Sequence, residues 1–246
     1  MVSYCSHLLH QKIKMEGMLL TTQKALHLLV TGDPELWSIV MLSFSVSFKA
    51  IILTTPPAML VAYSLVNGNF PGIRIILAVF NSLLSVPTVV IGLFLYVMLT
   101  RQGPFGDLKL LFSQTAMVIG QILLCFPILV ALGYATINAA DRRVRETSIT
   151  LGAPWWFTIL TVLYEVRFGL LAAILTGFGR IISEVGISMM VGGNILGYTR
   201  NITTAIALET SKGEFSQGIA LGIVLLVLAF VLTTFLTYVQ GKQEMS

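Results

Sequence analysis

The sequence predicts an all-α, polytopic integral membrane protein of about five transmembrane helices, and three observations carry that expectation. Only 11% of the 246 residues are charged and 56% are hydrophobic, whereas a soluble domain of this length carries about 25% charged residues. Mean hydropathy is +0.88. The apolar residues gather into several runs of about 20 residues, the length a helix needs to cross a bilayer, and short polar islands separate the runs.

The chain divides into a tail over residues 1–36, a transmembrane domain over 37–240 and a short tail over 241–246. Residues 18–30 (MLLTTQKALHLLV) are apolar on one face and polar on the other, the pattern of an interfacial helix. His7, His10 and His27 all precede the first span and read as solvated, without the further ligands that a metal site requires. Cys5 and Cys125 lie too far apart to suggest a disulfide framework, and Cys125 reads as packing inside a span.

The first span is expected at 46–66, with Pro56 and Pro57 as a kink and Lys49 near its start, able to snorkel outward. A turn at 67–74 (NGNFPGIR) leads to the second span, 75–99, where Ser82, Ser85 and Thr88 recur at helical spacing. After a Gly/Pro loop at 100–109, the third span covers 113–137 and carries Gln114, Gln121 and Pro127. The fourth runs from 166 to 189 and the fifth from 218 to 238, while 191–217 is too polar to cross. The net charge of +4 suits loop arginines beside anionic lipid head groups and suggests no nucleic-acid role.

Between the third and fourth spans lies the polar island 141–156 (DRRVRETSITLGAPWW). Arg142, Arg143 and Arg145 place it on the cytoplasmic side, which puts the amino terminus outside and the carboxyl terminus inside. It is expected to be helical up to Leu151 and stopped by Gly152 and Pro154. Glu146-Thr147-Ser148-x-x-x-Gly152 resembles the coupling segment of type I ABC importer permeases, with Thr147 and Ser148 where the family has alanines. Leu163-Tyr164 stands where Leu-Pro is usual. Downstream, FGRIISEVG (178–186) and MMVGGNILGYTRNITTAIALETSKGEF (189–215) are similar to permeases of tungstate importers. Molybdate and sulfate permeases are similar over the same region but less close.

That resemblance implies the type I ABC importer permease fold and a homodimer enclosing one path. It also implies ATPase subunits docked from the cytoplasm and a periplasmic or lipid-anchored receptor delivering an oxyanion, with tungstate first and molybdate or sulfate as alternatives. The chain lacks a G-x-x-x-x-G-K-[ST] loop, so no cofactor is expected in it and Mg-ATP would sit in the partner. No catalytic arrangement emerges, and an enzyme is not expected.

The candidate site residues fall into three groups. Glu146, Thr147, Ser148, Gly152 and Ala153 would couple to the ATPase: a carboxylate acceptor, two small hydroxyls and a turn glycine. Ser85, Thr88, Thr176, Arg180, Ser183 and Glu184 would line a path or gate, although Arg180 and Glu184, four residues apart, read first as a self-neutralising packing pair. The hydroxyls read equally as glue between helices. Gly193, Asn194, Tyr198, Thr199 and Arg200 would form a receptor-facing loop. A rival of another class is a gradient-driven transporter or channel, which would normally show internal repeats or more buried ionisable groups.

Overall fold

The computed structural model describes residues 22–23, 27, 30–68 and 72–244. The interfacial helix expected at 18–30 falls largely outside these residues, as do His7, His10, Cys5 and the middle of the 67–74 turn. Among the described residues the chain is helical throughout: α1 (Pro34–Asn67), α2 (Ile73–Leu83), α3 (Thr88–Leu99), α4 (Gln114–Asn138), α5 (Arg142–Thr150), α6 (Trp155–Glu165), α7 (Arg167–Ile182), α8 (Gly186–Gly192), α9 (Ile202–Lys212) and α10 (Phe215–Glu244). A single 3-10 turn, Gly106–Leu108, interrupts the link between α3 and α4.

The helix α1 starts at Pro34 rather than at 46, because Asp33 caps it by accepting a bond from the Leu36 N–H at 2.9 Å and Pro34 sits in the first turn. Pro56 and Pro57 stay inside one continuous helix. Lys49 therefore lies near the helix middle, not near its start. Along α1, Ala50, Ala58 and Ala62 are fully buried beside Met117, Leu129 and Val130 of α4. Small residues let the backbones approach: a Cβ on Gly133 would meet the Ala62 Cβ at 3.2 Å, and one on Gly177 of α7 would meet Leu129 at 3.1 Å. Cys125 is buried in this same core.

The second span is not one helix. Residues 84–87 interrupt it, and α2 and α3 meet at 95°. Pro87 has no N–H to continue a helix and disfavours helical backbone at Val86, so the chain closes with short turn bonds from Ser85 N to Ser82 O and from Val86 N to Leu83 O. The fourth span also differs from its expected limits. Residues 155–165, whose first two close the island read at 141–156 and whose remainder was left before the fourth span, form α6, which meets α7 at 78°. Then α7 ends at Ile182, and α8 begins after a short break. The polar stretch 191–217 contains α9, capped by Asn201 and Thr204 bonding reciprocally. Among the described residues three helices, α1, α4 and α10, are long and apolar enough to cross a membrane, and each bent pair counted as one crossing brings the number to five.

Two ends of the bundle can be told apart. At one, the carboxyl ends of α1 and α4 meet α5 around a polar pocket of about 260 Å3 that Asn67, Asn138, Asp141 and Arg145 help to line. At the other, Gln114 Nε2 donates to Tyr198 O and Phe112 N to Val191 O, joining the start of α4 to the loop after α8. There too, Leu36, Ile39 and Val40 of α1 pack with Ala220 and Leu221 of α10.

Candidate docking segment and polar face

The polar island folds as a helical hairpin. Asp141 caps α5 by accepting the Arg143 N–H at 2.9 Å. Gly152, at φ +79°, closes the helix in the left-handed region that glycine adopts without strain. Ser148 is buried, and its hydroxyl lies 3.1 Å from the Thr158 hydroxyl of α6. Ala153 N donates to Ser148 O at 3.1 Å, tightening the same turn. Glu146, Thr147 and Gly152 are exposed. Beside them opens a largely apolar groove of about 750 Å3, with Arg143, Leu151, Ala153, Trp156 and Phe157 among its walls. Ser148 therefore holds the hairpin together and reaches the surface only at the floor of this groove. Thr158, its partner, carried no sequence signal.

Among the residues proposed for a path, Ser82, Ser85 and Thr88 do not share a helical face. Ser82 belongs to α2, Ser85 to the break and Thr88 to the first turn of α3. Thr176 and Arg180 of α7 and Ser183, the residue that ends it, are exposed at intervals of four and three, so they lie along one face. Arg180 Nη1 donates to Glu184 Oε2 at 3.0 Å, although Glu184 stands beyond the end of α7. The other carboxylate oxygen, Oε1, accepts the N–H groups of Gly186 at 2.7 Å and Ile187 at 3.3 Å. Glu184 thus caps α8, and its own carbonyl accepts from Thr203 Oγ1 at 2.8 Å.

The two breaks touch. A Cβ on Gly186 would stand 3.1 Å from Val89 N and 2.9 Å from Val89 Cγ2, so only glycine lets α8 lie this close to the start of α3. Buried Gln121 of α4 reaches the same level, its Nε2 being 3.5 Å from Ile181 O. A run of 17 residues of α4 separates Gln121 from Asn138, about 26 Å at the helical rise. Arg180 therefore lies toward the end of the bundle remote from the docking hairpin.

In the loop after α8, Gly193 takes φ +69° and Asn194 φ +51°. Asn194 Nδ2 bonds Thr204 O, and buried Thr199 donates to Gly192 O at 2.6 Å. The Arg200 side chain is only 12% exposed and faces Glu35 at 3.9 Å and Glu209 at 4.0 Å, while Lys212 bonds Glu209 at 3.0 Å. Thr199 and Arg200 are thus turned into the fold. Outward stand Gly193, Ile195, Leu196 and Tyr198; Ile195 and Leu196 were not singled out from the sequence.

The chain is 39% identical over 224 residues, 89% of this chain and 96% of the relative, to the tungstate uptake system permease protein TupB of Peptoclostridium acidaminophilum. It belongs to the permeases of oxyanion ABC importers. The permease protein TupB of Campylobacter jejuni is 37% identical over 88% of this chain and 90% of its own length. The molybdenum transport permease ModB of Escherichia coli K12 is 29% identical over 82% of this chain and 92% of its own length. No family model matches. Among solved structures, an amino acid ABC transporter with histidines covers 87% of this chain and 96% of its own at a TM-score of 0.62 and 14% identity, a likeness of fold.

An oxyanion ABC permease is a transport subunit and not an enzyme. It is a multi-pass protein of the inner membrane, and its kind works with ATPase and binding-protein partners. The gradient-driven reading falls away.

Proposed function

We propose that two copies of this chain form the membrane path of a tungstate importer, driven by ATPase subunits that grip residues 141–156 and supplied by a periplasmic or lipid-anchored receptor. The observation that carries this reading is the build of the docking hairpin. A part that transmits a domain motion must not bend at its root, and the buried Ser148–Thr158 bond braces α5 on α6 while Glu146, Thr147 and Gly152 remain outward. Mg-ATP is held by the partner; in this chain Glu146 supplies an acceptor and Gly152 a turn that a partner cleft can enclose.

Orientation follows from the hairpin. With Arg143 and Arg145 on the cytoplasmic side, the start of α1 and the loop after α8 face outward, and α10 runs from Phe215 toward a cytoplasmic carboxyl terminus. Ile195, Leu196 and Tyr198 then form the surface offered to the receptor.

The homodimer is supported by the polar face of α7. An arginine turned to lipid is strongly unfavourable, so charged groups in membrane segments face a bundle interior or water. A second copy beside Thr176, Arg180 and Ser183 encloses that face in a hydrated path. Tungstate as the cargo rests on the named relatives; molybdate or sulfate is the alternative within the same class. The test is tungsten accumulation in cells carrying this chain with its receptor and ATPase, with excess molybdate or sulfate as competitors. Uptake that resists both supports tungstate, and uptake erased by molybdate moves the cargo.

A further inference from the structure

We infer that Arg180 is a receiving site for the cargo oxyanion inside the permease, with Glu184 as the exchangeable partner that holds the guanidinium until an anion takes its place. The inference rests on the permease reading above.

The two members of this ion pair are not equally dependent on each other. Glu184 is 3% exposed, yet its Oε1 already accepts the Gly186 and Ile187 N–H groups. If Arg180 leaves, the carboxylate keeps two backbone bonds at the start of α8 and is not stranded. Arg180 is 45% exposed, and among the described residues its hydrogen bonding is the one bond from Nη1 to Glu184. The rest of its planar fork, suited to gripping two oxygens of an oxyanion at once, points to no protein acceptor. A pair whose purpose is packing buries both partners. Here one is anchored and the other is free to turn.

The surroundings fit an anion in transit. Thr176 and Ser183 flank Arg180 on the same exposed face, a polar lining whose hydroxyls already donate to the Ala172, Gly179 and Arg180 carbonyls, so the guanidinium is the donor left for an anion. The position also fits, because Arg180 lies toward the end of the bundle remote from the docking hairpin, the receptor side of the proposed orientation. Once the guanidinium has turned to the oxyanion, the Glu184 carboxylate faces the anion as a like charge. That repulsion opposes tight retention and favours release toward the cytoplasm.

The test uses the assembled transporter in liposomes, with Thr176→Cys in a Cys5→Ser background; Cys125 is fully buried. Thiol-reactive methanethiosulfonates of similar size, one bearing sulfonate and one trimethylammonium, report the charge of the face. The exposed guanidinium, partly offset by the buried Glu184 carboxylate, should favour the anionic reagent by up to about threefold, after correction for intrinsic reactivity. The inference expects that preference, its loss with Arg180→Gln, and slower labelling in the presence of tungstate or molybdate at constant ionic strength. Ser183→Cys repeats the measurement should Thr176→Cys assemble poorly.

No labelling, equal rates with both reagents, or a preference that survives Arg180→Gln overturns it. A preference lost with Arg180→Gln but insensitive to added tungstate and molybdate also overturns it, because the guanidinium would then be exposed without receiving the oxyanion. Failure of the underlying permease reading looks different: the unmodified transporter would then show no ATP-dependent uptake.

Discussion

Gly152 separates two explanations of the docking segment, a turn that must be glycine and a surface that must meet a partner. Its φ of +79° lies in the left-handed region, and a Cβ there would find nothing within 4 Å. Substitution therefore costs backbone strain and no clash. For alanine that strain is about 1–2 kcal/mol, enough to shift the turn's equilibrium by roughly 5–30-fold. Asparagine tolerates this conformation far better, and aspartate shares that tolerance. A β-branched valine tolerates it least.

The structural ranking of variants is thus Asn and Asp mildest, then Ala, then Val. Docking adds a second, independent term, since Asp brings a charge into the partner cleft. The expected uptake order is Gly152→Asn near the unmodified protein, Gly152→Ala reduced several-fold, and Gly152→Asp abolished although inserted and protease-resistant like Gly152→Asn. The assay is ATP-dependent uptake per inserted transporter. Equal uptake by the Asn and Asp variants would refute the docking contribution, and a Val variant better than the Asn variant would refute the strain argument.

Three further outcomes follow from the packing. Glu184→Ala leaves two backbone N–H groups of α8 without their acceptor, a loss of about 1–3 kcal/mol; Glu184→Gln keeps an acceptor oxygen, so its melting temperature in detergent should fall much less. Gly186→Ala forces the two helix breaks apart against Val89 at 2.9–3.1 Å, at about 1–3 kcal/mol, and should lower thermal stability more than Gly179→Ala, where nothing lies within 4 Å. Arg200→Ala deprives buried Glu209 of one of its two cations and should destabilise by about 1–3 kcal/mol, whereas Tyr198→Ala, exposed, should leave the melting temperature nearly unchanged.

Much of this was legible in the residues for physical reasons. The α4 span expected at 113–137 is the helix Gln114–Asn138, because a long apolar run between polar ends has one low-energy conformation in lipid. The α5 helix and its stop were legible because Asp, Gly and Pro punctuate a charged island, whereas α6, the second arm of the hairpin, was not. Other features were hidden. Hydropathy counts apolarity and is blind to the direction of the chain, so it ran α2 and α3 together through Ser85 and Pro87. The start of α1 was written in Asp33-Pro34-Glu35, a cap signal that a search for apolar windows passes over. Ser148 and Arg200 were read as surface groups because spacing alone does not reveal a partner ten residues away, such as Thr158, or one across the fold, such as Glu35. Glu184 was placed correctly as the mate of Arg180, yet its capping of α8 depended on a helix break inside an apolar run, which the helical spacing did not suggest.

The most direct test of the central claim, that 141–156 is the point where the ATPase grips the chain, is photo-cross-linking of the assembled transporter. A photoreactive benzoylphenylalanine replaces exposed Thr147 in one sample and exposed Tyr198, at the opposite end of the bundle, in another. The account predicts an ATPase adduct from position 147 and none from position 198, where the adduct should be with the receptor. An ATPase adduct from position 198, or its absence at position 147 in a transporter that still takes up its anion, would contradict it.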